Sequence, residues 1–340
     1  MGLAQLPTEI WILICTDSAL EVVDEKNLSL VCWMFRHICA PSILYNVSFP
    51  CTKIGLGGLQ ELACSEIRQY VEYLTYYMPP FYKPPVKGPD TAENQDDSEA
   101  ALLAEVESII QQRSEENQCI VKSELDLAAL SLALRSLPCL DDLIFTFRKF
   151  IPGEQDRVTR KLNDFVAKKK TFEHHISILG QAMSHARANR RHFTSIRLVG
   201  VNLATLPDSE LLGDDEPSRV ALRNSVKQLF ARVDCVRLSL SGAIIDLCKE
   251  TSLDLKELQL LNFSAEYETF KSFLRHNIST IQRIEFYNLQ LRNQREGYRR
   301  WIQPGFFYKI LKGFDPASRI WRRGKDDLNW IFTRRDPVSE

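Results

Sequence analysis

The 340-residue sequence is short of the features that most quickly assign a function. It has no apolar run long enough to cross a bilayer. The longest early one, Ile10 to Cys15, falls far below the roughly 20 residues that a spanning helix needs. No basic leader with a cleavable apolar core opens the chain, and Gly2 is followed at position 6 by Leu6 where a myristoylation motif wants Ser or Thr. No membrane association is therefore expected. The nine cysteines are odd in number and contain no Cys-x-x-Cys, which argues against a disulfide framework or a zinc knuckle and for buried thiols in a reducing compartment. Of the six histidines, His174 and His175 are adjacent, so a helix turns them to different sides. Neither a metal site nor a cofactor is expected. G-x-S-x-G, a P-loop, G-x-G-x-x-G and H-E-x-x-H are all absent, so an enzyme is not expected either.

Net charge is also missing, at −1 overall, but this is a cancellation. Residues 86–118 carry nine acidic side chains against Lys87 and Arg113. They read as an acidic insert, solvated over 86–99, with a short helix resuming at Leu102, Leu103, Val106, Ile109 and Ile110. Residues 292–335 hold twelve Lys and Arg against four acids, interleaved with Tyr298, Trp301, Trp321 and Trp330 among others. That pattern allows nucleic-acid stacking. It fits better a helix capping the last repeat, with the arginine heads on the wet side, and nucleic acid is not the expected partner.

What is present is a helix-then-strand rhythm from about 119 to 291. Helical stripes such as Leu127, Leu130, Leu134 and Leu137 alternate with short strands carrying L-x-x-L-x-L-like spacing. The middle strand positions Ile196, Val236, Leu258 and Ile284 are 40, 22 and 26 residues apart, and the last two intervals fall in the leucine-rich-repeat range of about 20–29. Residues 208–217 look like an inserted loop in the longest interval. Asn262 and Asn288 occupy the asparagine position of such repeats. Arg197, Arg237, Ser239, Glu257, Gln259, Arg283 and Glu285 are expected on the outward face of the strands. An ordinary α/β domain with a parallel sheet is the alternative.

Residues 1–49 read as a small helical module. Pro7 suits a first helical turn, and Ile10, Leu13 and Ile14 share a face. A second helix is expected after Asp24 as N-cap, with Leu28, Val31, Cys32, Phe35 and Cys39 on one stripe and Pro41 as its end, and residues 44–49 read as a short strand. Two such short helices make too small a core to stand alone, so part of this apolar surface must be covered by the rest of the chain or by a partner. Leu6-Pro7-Thr8-Glu9-Ile10, Leu28-Ser29-Leu30-Val31-Cys32, Phe35-Arg36, Pro41 and Leu44-Tyr45 together resemble an F-box. With irregular leucine-rich repeats behind it, the chain resembles a large fungal group of F-box proteins. The resemblance implies docking on the Skp adaptor, and through it a cullin, by Leu6, Pro7, Ile10, Ile14, Leu28, Val31, Cys32 and Phe35, either at the interface or in the module's own small core. Trp33 departs from the family, which usually has a basic or polar residue there. The implied role is a non-catalytic substrate adaptor of a ubiquitin ligase in the cytoplasm or nucleus, the alternative being an F-box scaffold that acts with the adaptor outside the ligase. The implied architecture is the helical module, a connecting segment over 50–85, the acidic insert, an α/β leucine-rich-repeat-like solenoid over 119–291 and a basic aromatic C-terminal region over 292–340.

Overall fold

The computed structural model describes residues 8–15, 21–78, 97–147, 169–189, 192–200, 216–239, 242–292, 314–316, 321–322 and 328–334. Three helices come first: α1 (Thr8–Cys15), α2 (Val22–Ser29) and α3 (Trp33–Leu44). The single helix expected after Asp24 is in fact two. Glu21 is the N-cap of α2, with Asp24 as its reciprocal partner in a capping box. The chain breaks at Leu30, and α3 restarts from an extended Cys32. Pro41 does not end α3, which runs through it to Leu44. The buried Glu25 carboxylate accepts the Ser42 hydroxyl, tying α2 to α3.

Seven parallel strands follow, β1 (Asn46–Pro50), β2 (Tyr73–Met78), β3 (Asp142–Phe147), β4 (Phe193–Val199), β5 (Val233–Ser239), β6 (Glu257–Glu266) and β7 (Arg283–Arg292). They lie in the sheet in their order along the chain. Between them run α4 (Lys53–Cys64), a 3-10 turn (Glu66–Tyr70), α5 (Asp97–Ser123), α6 (Leu125–Ser136), α7 (Lys169–Ala188), α8 (Glu216–Phe230), α9 (Gly242–Leu247) and α10 (Tyr267–Asn277). Parallel strands in sequential order are the arrangement in which right-handed crossovers carry the connecting helices to one face of a sheet. The core lies between that helix layer and alternate strand residues.

The register is regular: Val47, Leu74, Leu143, Ile196, Val236, Leu258 and Ile284 are successive Cα partners across all seven strands. The four middle positions read from the sequence are thus true neighbours. The sheet also extends further back than the rhythm indicated. Its first two strands fall in the stretches assigned to the helical module and the connecting segment. β1 falls on the short strand read at 44–49; β2 was not foreseen, because the intervals of 69 and 53 residues from Leu74 to Leu143 and from Leu143 to Ile196 exceed the repeat range.

Local chemistry fits these elements. Thr52 caps α4 by accepting the Gly55 N–H at 3.0 Å. Arg187, at the end of α7, donates to the carbonyls of Gln228 and Leu229 and so satisfies the C-terminus of α8. Gly180 lets α7 lie directly on α8, since a Cβ there would sit 2.6 Å from the Ser225 carbonyl oxygen. Just beyond the regular rows, Gly200, Asn262 and Asn288 all take left-handed backbone, and Asn288 Nδ2 donates to Asn262 Oδ1 at 3.0 Å. Gly and Asn are the residues that tolerate this conformation.

The acidic insert is corrected in part. Residues 97–123 form one 27-residue helix, far longer than expected, with Val106, Ile110 and Ile120 buried. Its Glu116 accepts the Lys53 N–H at 2.7 Å, placing a carboxylate at the positive end of α4. The remainder, 86–96, and the loop at 208–215 lie outside the described residues. The C-terminal cap is made of strands where a helix was expected. β10 (Leu328–Arg334) pairs antiparallel with β7, and β8 (Phe314–Pro316) and β9 (Trp321–Arg322) pair with β10.

Candidate functional site

Two surfaces and one buried cluster stand out. The first surface is the N-terminal helical unit. Its interior is small: Trp11 packs edge-on to Phe35 with centroids 4.8 Å apart, and Trp11, Cys39 and Ala40 are buried. Among the described residues, most exposed large apolar side chains belong to this unit: Ile10 (40%), Leu13 (65%), Val23 (62%), Leu30 (75%), Val31 (68%) and Trp33 (73%) among them. The residues expected from the sequence divide accordingly. Ile10, Val31 and Cys32 are exposed, while Leu28 and Phe35 are half-buried. Ile14 lies in α1, and Leu6 and Pro7 lie outside the described residues. Val23 was not singled out by the sequence pattern, and Leu13 and Leu30, read there on a helix face and in the motif, were not assigned to the surface, because apolar spacing does not distinguish a wet face from a packed one. Trp33 contacts His37 one turn on, centroids 4.2 Å apart, and otherwise faces out.

The second surface is the sheet face opposite the helices. Arg197 and Arg237 are Cα partners at its middle, followed along the same row by Gln259 and Glu285. Each of these two guanidinium groups has a buried Nε–H without a hydrogen-bond partner. Burial, and then the neighbouring Arg237, lowers the pKa of Arg197. Nearby, Asp142 accepts the Ser195 hydroxyl, and burial raises its pKa against the opposing pull of Arg237. Further along, Arg283 pairs with Glu285 and, at 3.8 Å, with Glu257. A cavity of about 270 Å³ opens beside Arg197, with hydroxyls from Thr75, Tyr77, Thr146 and Ser239 around an apolar floor of Ile144, Val199 and Leu261. The strand residues expected to face outward do share this face. This face offers guanidinium N–H groups and hydroxyls beside apolar side chains, with the Asp142 carboxylate acting on both central arginines.

The buried cluster was not foreseen. Cys51, Asp126 and His175 come within 4.8 Å of one another through their donor atoms, although 75 and 49 residues separate them in sequence. His174 also reaches Asp126, its Nε2 2.7 Å from Oδ2, so the adjacent histidines meet at one carboxylate despite their angular separation on the helix. The cysteines themselves differ from expectation. Cys39, Cys51, Cys235 and Cys248 are buried, but Cys32, Cys64, Cys119 and Cys139 are exposed, and all eight are free thiols. Among the described residues no helix is long and apolar enough to cross a membrane. Neither a protein-family model nor a curated protein matches this chain.

Proposed function

We propose that this chain is a substrate-recognition adaptor. On this reading its N-terminal helices dock on the Skp adaptor of a cullin-based ubiquitin ligase, as the F-box resemblance implies, and the open sheet face captures a target protein. The carrying observation is the concentration of exposed apolar side chains on α1–α3, around Ile10, Leu13, Leu30, Val31 and Trp33. Exposed apolar side chains concentrated on one small helical unit favour an interaction site, because leaving them in water is costly. The leucine-rich-repeat reading of the following region draws support from the sequential parallel strands and from Asn262 and Asn288, equivalent in sequence and joined by a hydrogen bond.

The role needs no bond-making residue. Holding a target lysine near a charged ubiquitin-conjugating enzyme raises its effective concentration, and that accelerates transfer. The unpaired donors of Arg197 and Arg237 give the open face a preference for acidic groups on the target. Such an adaptor works in the cytoplasm or nucleus.

Co-purification with the Skp adaptor tests the docking. Wild type is expected to form a stable complex. Ile10→Asp/Val31→Asp is expected to lose it while keeping its circular dichroism spectrum, since both side chains are already exposed. Failure of the wild type to bind refutes the proposal.

A further inference from the structure

Three metal-binding side chains from three different elements meet in the core at one end of the sheet. Cys51 directly follows β1, Asp126 lies in the first turn of α6 and His175 lies in α7. Their exposures are 2%, 1% and 1%. The thiol sulfur, a carboxylate oxygen and an imidazole nitrogen all lie within 4.8 Å of one another. Beside them is a fourth polar group. The hydroxyl of Tyr76, itself 1% exposed, sits next to the Cys51 thiol and has no hydrogen-bond partner of ordinary geometry.

Burying a carboxylate, a thiol, an imidazole and a phenol together is costly unless their charges and polar atoms are matched. A divalent cation of intermediate softness would match them. Thiolate and carboxylate neutralise its two charges, and neutral imidazole is the third donor. Sulfur, nitrogen and oxygen in one small set is a donor combination suited to zinc. Zinc–ligand bonds of about 2.0–2.3 Å place tetrahedral donors about 3.5 Å apart. The observed spread therefore needs closure on the order of 1 Å, which side-chain torsions can supply. His174, its Nε2 2.7 Å from Asp126 Oδ2, and the Leu127 N–H, which donates to Oδ1 at 2.9 Å, would orient the ligating carboxylate. Tyr76 would gain an acceptor in the thiolate.

We propose that Cys51, Asp126 and His175 form a structural zinc site that fastens β1 to α6 and α7. On binding, the Cys51 S–H bond breaks, the sulfur keeps the electron pair to bond zinc, and the proton leaves to solvent. A nucleophilic cysteine–histidine pair is the competing use of these residues, and it fits poorly. A sulfur this deeply buried offers a substrate no approach.

The test uses the full chain without added histidines and with Cys32, Cys64, Cys119 and Cys139 changed to Ser, which removes exposed thiols that bind zinc adventitiously. Elemental analysis should find one zinc per chain. Cobalt loading should give a thiolate-to-metal absorption. Cys51→Ser should lose both, His175→Asn should lose the metal, and His174→Ala should weaken binding about 10-fold. Cys248→Ser, at an equally buried thiol elsewhere, should change neither. Retention of stoichiometric zinc by Cys51→Ser overturns the proposal. If the variants do not fold, the parent protein decides alone: no zinc bound after equilibration with micromolar excess also overturns it.

Discussion

Asn277 has no exposed surface, yet every polar atom of its side chain is used. Its Oδ1 accepts the Leu253 N–H at 2.7 Å, and its Nδ2 donates to the carbonyls of Thr251 and Phe273 at 3.0 and 2.9 Å. The side chain thereby pins the loop before β6 to the end of α10. Asn277→Ala leaves a buried N–H and two carbonyls short of a partner. The expected loss is about 2–4 kcal/mol, read from urea midpoints. Little of this was legible beforehand, because an asparagine near a helix end looks like an ordinary surface residue. The same holds for Cys51, Asp126 and His175. Sequence identifies the donor types, but nothing along the chain says that residues 75 and 49 positions apart will converge. Outward strand residues such as Arg197 and Arg237 were legible, because alternation with period two assigns faces without any tertiary knowledge.

Helices and strands differ in how openly they declare themselves. The strands with apolar alternation, β3 to β7, fall where the pattern places them. The helices α6, α8 and α10 do so as well, through stripes such as Leu222, Val226 and Leu229. The ends were harder. Pro41 is tolerated inside α3, and the apolar stripe through Leu28 and Val31 conceals the break between α2 and α3, because both helices contribute to one small interior. At this scale Gly180 is diagnostic. A β-branched side chain there must push α8 away from α7, given the 2.6 Å separation from the Ser225 carbonyl oxygen. Gly180→Val is expected to destabilise the protein by about 1–3 kcal/mol and lower its thermal midpoint. An unchanged midpoint would mean that the two helices are not in close contact.

Across the whole molecule, one apolar cluster runs from Val47 to Phe332, so the sheet and its helix layer share a single core. A sequential parallel sheet has two edges that need management. At one, α3 of the N-terminal unit runs directly into β1 and packs on the 3-10 turn that precedes β2. At the other, β10 covers β7, with Phe332 buried edge-on to Phe286 at 6.0 Å. The Phe332→Ala variant is expected to cost about 3–5 kcal/mol and to promote aggregation on heating, as the edge of β7 becomes available to other chains. Calorimetry and light scattering together check this. The strand cap was not legible as such, since the composition of residues 292–335 fits an amphipathic helix as well as a set of short strands.

The sequence by itself determined the α/β class, the inward and outward faces of the strands, the register positions Ile196, Val236, Leu258 and Ile284, and the unusual apolar content of the first helices. These are local or periodic properties, fixed by the 3.6- and two-residue repeats of the backbone. Only the tertiary structure decided that β1 and β2 join the sheet, that Ile10, Leu13 and Val31 face water, and that a thiol, a carboxylate and an imidazole share one buried point. Those outcomes depend on which distant segments pack together. That is set by the summed burial of the whole core and leaves no periodic trace in the chain.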